Sequence, residues 1–204
     1  MQVYLETARL ILRRFTAGDV DHLVALDGDP AVMRFLTGGA PTPRAVIERD
    51  VLPRILCDYE RCAGFGCWAA IERAGGDFLG WFSLRPRAGA GPGEVELGYR
   101  LRQAAWGRGY ATEGARALIR KGFAELGVRR VVATTYQENH ASRRVMEKAG
   151  LRLVRTFRPT PAALAADGID AASQALFPGD DVEYALEKAD WERQAAAMTH
   201  RPER

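Results

Sequence analysis

The chain has 204 residues, 47% of them hydrophobic, and a formal net charge of +3. That length suits one well-cored domain and is short for two. The basic residues are nearly all arginines dispersed along the chain, not the clustered basic face of a nucleic-acid binder. No apolar run approaches the roughly 20 residues of a membrane span, and no basic-then-apolar leader opens the sequence. A cytoplasmic protein is expected, with neither nucleic acid nor membrane among its partners.

In chain order, residues 4–14 alternate well enough for a first strand. Asp19 to Asp27 suits a short helix through Leu23, Val24 and Leu26. A second helix is expected from Pro43, with Val46, Ile47, Val51, Leu52, Ile55 and Leu56 at amphipathic spacing and a kink at Pro53. After them Cys57, Cys62 and Cys67 recur every five residues. That spacing fits no zinc pattern and an odd number gives no disulfide framework, so they read as small packing residues. Trp68 to Glu72 and Phe78 to Leu84 read as a hairpin turning at Ala74-Gly75-Gly76-Asp77.

After a glycine-rich connection at 87–93, Val95 to Leu101 forms a strand and Thr112 to Leu126 a long helix. Val131 to Thr135, apolar and β-branched, is a buried strand; Asn139 is placed to cap a short helix that stops at Gly150. Leu151 to Phe157 and Val182 to Leu186 are the last strands, divided by a segment rich in Ala, Pro, Gly and Asp. Residues 190–204 read as a polar, partly helical tail behind a single domain of residues 1–189. The order βααβββαβαββ belongs to the α/β (α+β) class. Its second to fourth strands form a meander, and a helix joins the fourth to the fifth, which makes those two parallel.

The chemistry concentrates between that strand and the long helix, in Trp106-Gly107-Arg108-Gly109-Tyr110-Ala111-Thr112-Glu113. Glycines at a strand-to-helix turn let the backbone approach a ligand, and a helix start offers free N–H groups with partial positive charge. A phosphate or pyrophosphate suits that geometry. Two glycines match neither the dinucleotide G-x-G-x-x-G nor the P-loop pattern. The run instead resembles the acyl-CoA loop of GNAT N-acyltransferases, Gln/Arg-x-x-Gly-x-Gly/Ala, with Gly109 and Ala111 on the small positions and Trp106 at the first.

The form W-G-x-G-Y-A-T-E is similar to the subgroup that includes the ribosomal-protein-alanine N-acetyltransferases. Asn139-His140-Ala141-Ser142 followed by Glu147-Lys148-Ala149-Gly150-Leu151 resembles the second CoA-contacting segment of that subgroup. Leu5 to Arg13 and Asp29 to Leu36 add two further likenesses, so the resemblance spans about residues 4–191 in colinear order.

The resemblance implies a central, mixed, mostly antiparallel sheet with flanking helices and a splayed parallel pair into which CoA enters. Pyrophosphate would rest on the amides of Gly107, Arg108, Gly109, Tyr110, Ala111 and Thr112, beside Trp106. The backbone of Tyr99, Arg100 and Leu101 would meet the pantetheine and acetyl groups, and Asn139 and Ser142 would complete the CoA site. The implied activity is acetyl transfer from acetyl-CoA to a primary amine, on a small molecule or a protein N-terminus, by direct attack in a ternary complex. The acceptor would sit among residues 27–60 and 159–181, in a monomer or homodimer, with no metal. A CoA-binding regulatory module without catalysis is the alternative.

An amine is mostly protonated at neutral pH, so attack on a thioester needs a route for its proton and stabilisation of the departing thiolate. Glu96, on the strand before the loop, is the candidate base, and Glu94 shares its strand parity. The family places a tyrosine acid where this chain has Met146, which has no proton to give. Ser142 or a water is left to serve the thiolate. Arg143 and Arg144 are candidates for the 3′-phosphate region, and Asp27, Asp29, Asp58 and Glu60 could draw a cationic acceptor.

Overall fold

The structure is a computed structural model that describes residues 2–87, 89–158 and 179–199. The alternating run expected as one strand is a hairpin, β1 (Val3–Glu6) and β2 (Leu10–Arg14). Its turn is made by Thr7, whose hydroxyl accepts the Leu10 N–H at 2.9 Å while its own N–H donates back to the Leu10 carbonyl at 2.9 Å. A threonine closing its own backbone turn interrupts a strand that periodicity alone would continue.

Helix α1 (Val20–Asp27) is followed by one the pattern did not suggest, α2 (Pro30–Thr37). Asp29 caps it by accepting the Ala31 N–H at 2.8 Å, and Pro30 occupies the first turn, where its missing N–H costs nothing. The next helical stretch is α3 (Arg44–Val46), a π turn over Ile47–Val51, and α4 (Leu52–Arg61). The kink expected at Pro53 is realised by that π turn. The ring cannot donate to the turn before it, and the backbone widens by one residue there.

The meander follows as β3 (Gly66–Glu72), β4 (Phe78–Pro86) and β5 (Glu94–Leu101), each antiparallel to the last. Then come α5 (Tyr110–Glu125), β6 (Arg130–Tyr136), α6 (His140–Lys148), β7 (Arg152–Phe157) and β8 (Asp181–Glu187). The chain continues as α7 (Lys188–Thr199), whose Trp191 ring lies 5.5 Å from that of Phe123 on α5. One sheet results, in the order β1-β2-β3-β4-β5-β6-β8-β7. Cys67 is buried, as expected of a packing residue, whereas Cys57 is exposed on α4. No helix among the described residues is long and apolar enough to cross a membrane.

Each sheet face has its own core. Leu10, Trp68, Phe82, Leu97, Val131 and Tyr184 pack with Leu118 and Phe123 of α5 on one side. Ile71, Cys67 and Phe78 pack with Leu23, Leu26, Ile47 and Ile55 of the early helices on the other. The sheet's one parallel pair, β5 with β6, is brief: Glu94 with Arg130, Val95 with Val131, Glu96 with Val132. Beyond it each strand follows its outer partner, β5 along β4 as far as Leu101 opposite Gly80, and β6 along β8 as far as Tyr136 opposite Asp181. The two half-sheets therefore part where the ladder ends. Ion pairs tie them at the closed end: Arg87, just past β4, reaches Glu183 of β8 at 2.6 Å, and Arg130 of β6 reaches Glu94 of β5 at 3.5 Å.

Helix α5 lies unusually close to β4. A Cβ added at Gly114 would stand 2.3 Å from the tip of the fully buried Phe82 ring. Gly114→Val should destabilise the fold by about 1–3 kcal/mol through overpacking. Urea denaturation measures this, and an unchanged midpoint would show that α5 can move off the sheet without cost.

Candidate active site

The turn into α5 uses both its glycines in the left-handed region, Gly107 at φ +71° and Gly109 at φ +84°. A Cβ at Gly107 would meet nothing within 4 Å, so the dihedral and not crowding requires glycine there. Gly109 is the N-cap of α5 and brings no side chain to satisfy the first turn, so the amides of Tyr110, Ala111 and Thr112 keep their free, outward-facing geometry. A 16-residue helix that starts in this way presents an end suited to an anion.

The aromatic residues of the loop divide. Tyr110 is a core residue whose hydroxyl donates to the Glu72 carboxylate. Trp106, expected beside the pyrophosphate, is 46% exposed, with its indole N–H donating to the Leu101 carbonyl at 2.8 Å. The Arg108 guanidinium lies over the Tyr110 ring at 4.9 Å and pairs with Glu72 at 3.2 Å.

Three residues that sequence reasoning did not assign fix this loop. Glu113 accepts the Thr7 hydroxyl at 2.6 Å, the Arg9 backbone N–H at 2.9 Å and the Arg9 guanidinium at 2.6 Å. Arg9 also donates to the Arg108 carbonyl at 2.8 Å. The β1–β2 turn is thereby bolted to the start of α5 across more than 100 residues of chain. The only signal in the sequence was the likeness of Leu5 to Arg13 to a family segment, which carried no role. An open groove of about 640 Å³ runs from Gly109 and Thr112 along α5 to Arg116, Arg120 and Lys148.

At the gap between the half-sheets, Asn139 and Ser142 meet as the cap of α6, with the Ser142 N–H donating to Asn139 Oδ1 at 3.2 Å. The Tyr99 hydroxyl reaches the same residue from β5, 3.0 Å from Ser142 Oγ and 3.1 Å from its carbonyl oxygen. Burial pushes the Tyr99 phenol up to about 12, against the downward pull of its bond to Ser142. Met146 is packed in the core at 2% exposure. Glu96 lies three residues before Tyr99 on β5 and so points to the other face, opposite Arg85 in the register and within the field of Arg87. Glu94 is engaged by Arg87 and Arg130.

Arg100 sends its side chain to the buried Asp27 at 2.5 Å and over the Trp81 ring, while Leu101 is buried. The carboxylates offered to a cationic acceptor are largely in use. Asp27 is held by Arg100, Asp58 by Arg85 at 3.0 Å, and Asp29 caps α2. Arg143 is held by the Tyr184 hydroxyl and the Gln137 carbonyl, while Arg144 is exposed. Residues 159–178 of the segment expected at the acceptor fall outside the described residues.

Residues 9–152 match the family model of the acetyltransferase (GNAT) domain. The chain belongs to the GNAT acetyltransferase family. It is an acyl-CoA N-acetyltransferase, and the family's cosubstrate is acetyl-CoA. This acetyltransferase is 32% identical to the FsC-acetyl coenzyme A-N(2)-transacetylase of Aspergillus fumigatus, over 97% of this chain and 82% of that protein. A GNAT-family acetyltransferase from Bacillus anthracis superposes with a TM-score of 0.71 at 23% identity, covering 93% of this chain and 99% of the other. The aminoglycoside acetyltransferase AAC(6′)-Ib, solved with coenzyme A, superposes at 0.67 with 19% identity, covering 91% and 99%. Both structures share the fold.

The clamp on Glu113 has a pH signature. Burial alone would raise this carboxyl, but the Thr7 hydroxyl and the Arg9 amide and guanidinium together hold it below the usual glutamate range. A group depressed in the folded state stabilises above its unfolded pKa, about 4.3, and loses that contribution as pH falls through the folded value. Glu113→Gln should therefore lower the melting temperature at pH 7 and flatten its decline below about pH 4.3. An acid limb as steep as wild type would place the acid-sensitive carboxylate elsewhere.

Proposed function

We propose that this acetyltransferase moves an acetyl group from acetyl-CoA to a primary amine by direct attack within a ternary complex. The observation that carries the reading is the parting of β5 and β6 beyond Glu96 and Val132, directly before an uncapped helix start at Gly109. Strand backbone left without a ladder partner needs hydrogen-bond partners, and the amides of a pantetheine arm offer them. The uncapped first turn of α5 suits the pyrophosphate at the far end of that arm. In this reading the backbone of Tyr99, Arg100 and Leu101 lies along the pantetheine, Gly107 to Thr112 along the pyrophosphate, and Asn139 holds Ser142 at the reacting end.

Glu96 takes the amine proton, directly or through a water. Its carboxylate sits where the early helices, the acceptor side by family likeness, face the sheet. Ser142 donates a hydrogen bond to the departing sulfur. Met146 has no such capacity and is buried in the core. Recognition of the acceptor does not rest on a bare acidic patch, because Asp27 and Asp58 are already neutralised by Arg100 and Arg85. The extent of the likeness to an N(2)-transacetylase favours an amine nitrogen on a small molecule over a protein N-terminus.

Free-thiol release from acetyl-CoA against a panel of small primary amines and N-terminal peptides tests the reading. Turnover should appear with a small amine. Glu96→Gln should cut kcat by roughly 10²–10⁴, and Ser142→Ala by only about tenfold because a water can replace the hydroxyl. The reverse ranking would put the proton chemistry on the wrong side of the site.

A further inference from the structure

Met146 stands where the family resemblance implies a phenol, and it has no proton to give the departing sulfur. A phenol nevertheless stands in the gap, brought by β5 and not by α6. Tyr99 lies past the last residue of β5 that pairs with β6, and its hydroxyl crosses to the first turn of α6, 3.0 Å from Ser142 Oγ. Its ring packs beside Phe82, with centroids 6.2 Å apart. The hydroxyl is thus delivered by a rigid strand and a packed ring, in contrast to a serine hydroxyl, which rotates about one bond.

We propose that Tyr99 is a positioning residue for Ser142, donating to its oxygen so that the serine proton is aimed into the gap at the leaving sulfur. The inference rests on the reading of Ser142 given above. A serine in the first turn of a helix has competing uses for its proton, since it can turn back to nearby backbone carbonyls. The Tyr99 hydroxyl has one proton and two acceptors on this residue, Oγ at 3.0 Å and the carbonyl oxygen at 3.1 Å; given to Oγ, that proton restricts the rotation. The Oγ–H is then turned away from the phenol.

The roles follow from the chemistry of the step. The amine nitrogen bonds to the acyl carbon, the C–S bond breaks, and its electron pair leaves on sulfur. The proton lost by nitrogen goes to Glu96. Sulfur departs as a thiolate stabilised by the Ser142 hydrogen bond, and the proton on Ser142 stays on oxygen. Tyr99 does not protonate the sulfur: its phenol is pushed up to about 12, whereas an alkyl thiol ionises near 8.5. Burial thus makes Tyr99 a neutral donor throughout the working pH range, suited to orientation.

Titration of bound coenzyme A reads this arrangement without requiring an acceptor. The ultraviolet absorbance of the thiolate, measured against free enzyme at each pH, gives the apparent pKa of the bound thiol. Wild type, Tyr99→Phe, Ser142→Ala and the double variant would be compared at saturating coenzyme A. Tyr99→Phe keeps the ring on Phe82 and removes only the hydroxyl.

The bound thiol should ionise about one unit higher in Ser142→Ala than in wild type, as expected for one lost hydrogen bond to a charged group. Tyr99→Phe should shift it the same way, and the double variant should match Ser142→Ala alone. A wild-type value in Tyr99→Phe, with Ser142→Ala shifted, would overturn the positioning role and leave the reading of Ser142 intact. Additive shifts in the double variant would likewise overturn it, since Tyr99 would then act independently of Ser142. No shift in Ser142→Ala, or no binding of coenzyme A by wild type, would instead bring down the reading on which the inference stands.

Discussion

Between β5 and β6 the ladder runs from Glu94 to Glu96 and stops, and the rest of the site depends on that termination. Continuous pairing would close the sheet and satisfy its backbone internally, leaving no opening between the strands. Here each strand is held by its outer neighbour more extensively than by the other. β4 carries β5 to its end, and β8 carries β6 to its end. Ion pairs from Arg87 to Glu183 and from Arg130 to Glu94 cross between the half-sheets at the closed end, so the two diverge from a fixed point. The open backbone, the helix start beyond Leu101 and the Tyr99–Ser142 contact all lie on the diverging side.

The closing of one end explains the rigidity of the other. Gly109 starts α5 without a side-chain cap, yet the loop is not loose. Arg9 and Thr7 hold Glu113 in the first turn, and Arg9 also holds the Arg108 carbonyl. The helix end is therefore free to meet an anion while its position is fixed from the β1–β2 turn. Close contact of Gly114 with Phe82 fixes the same helix against the sheet. On the opposite face, the Asp27–Arg100 and Asp58–Arg85 pairs connect the early helices to β5 and β4, beside Glu96.

Local signals made much of this legible in the sequence. The strand, glycine turn and helix around 94–125 follow from periodicity and glycine placement, and Asn139 caps α6 as its chemistry suggests. Long-range chemistry was not legible. The Thr7–Glu113 and Tyr99–Ser142 contacts join residues 106 and 43 positions apart, and nothing in either local pattern marks the partner. Nothing local marks what holds Trp106, whose ring is kept at the surface by a bond from its N–H to the Leu101 carbonyl. Asp29-Pro30 is a start signal for α2, but the helix has only eight residues, five of them apolar, too short a run for a period to show. For Arg100 the sequence suggested a role for its backbone alone, and only the tertiary structure reveals Asp27 as its side-chain partner.

The central claim is that the parted edges of β5 and β6, with the start of α5, receive acetyl-CoA. Amide hydrogen exchange, followed by mass spectrometry with and without acetyl-CoA, reads that backbone directly. The account predicts slowed exchange in peptides covering residues 97–101 and 107–112, with β1 and β3 unchanged. Protection confined to other segments, with 97–101 and 107–112 exchanging as fast as in the free protein, would contradict it.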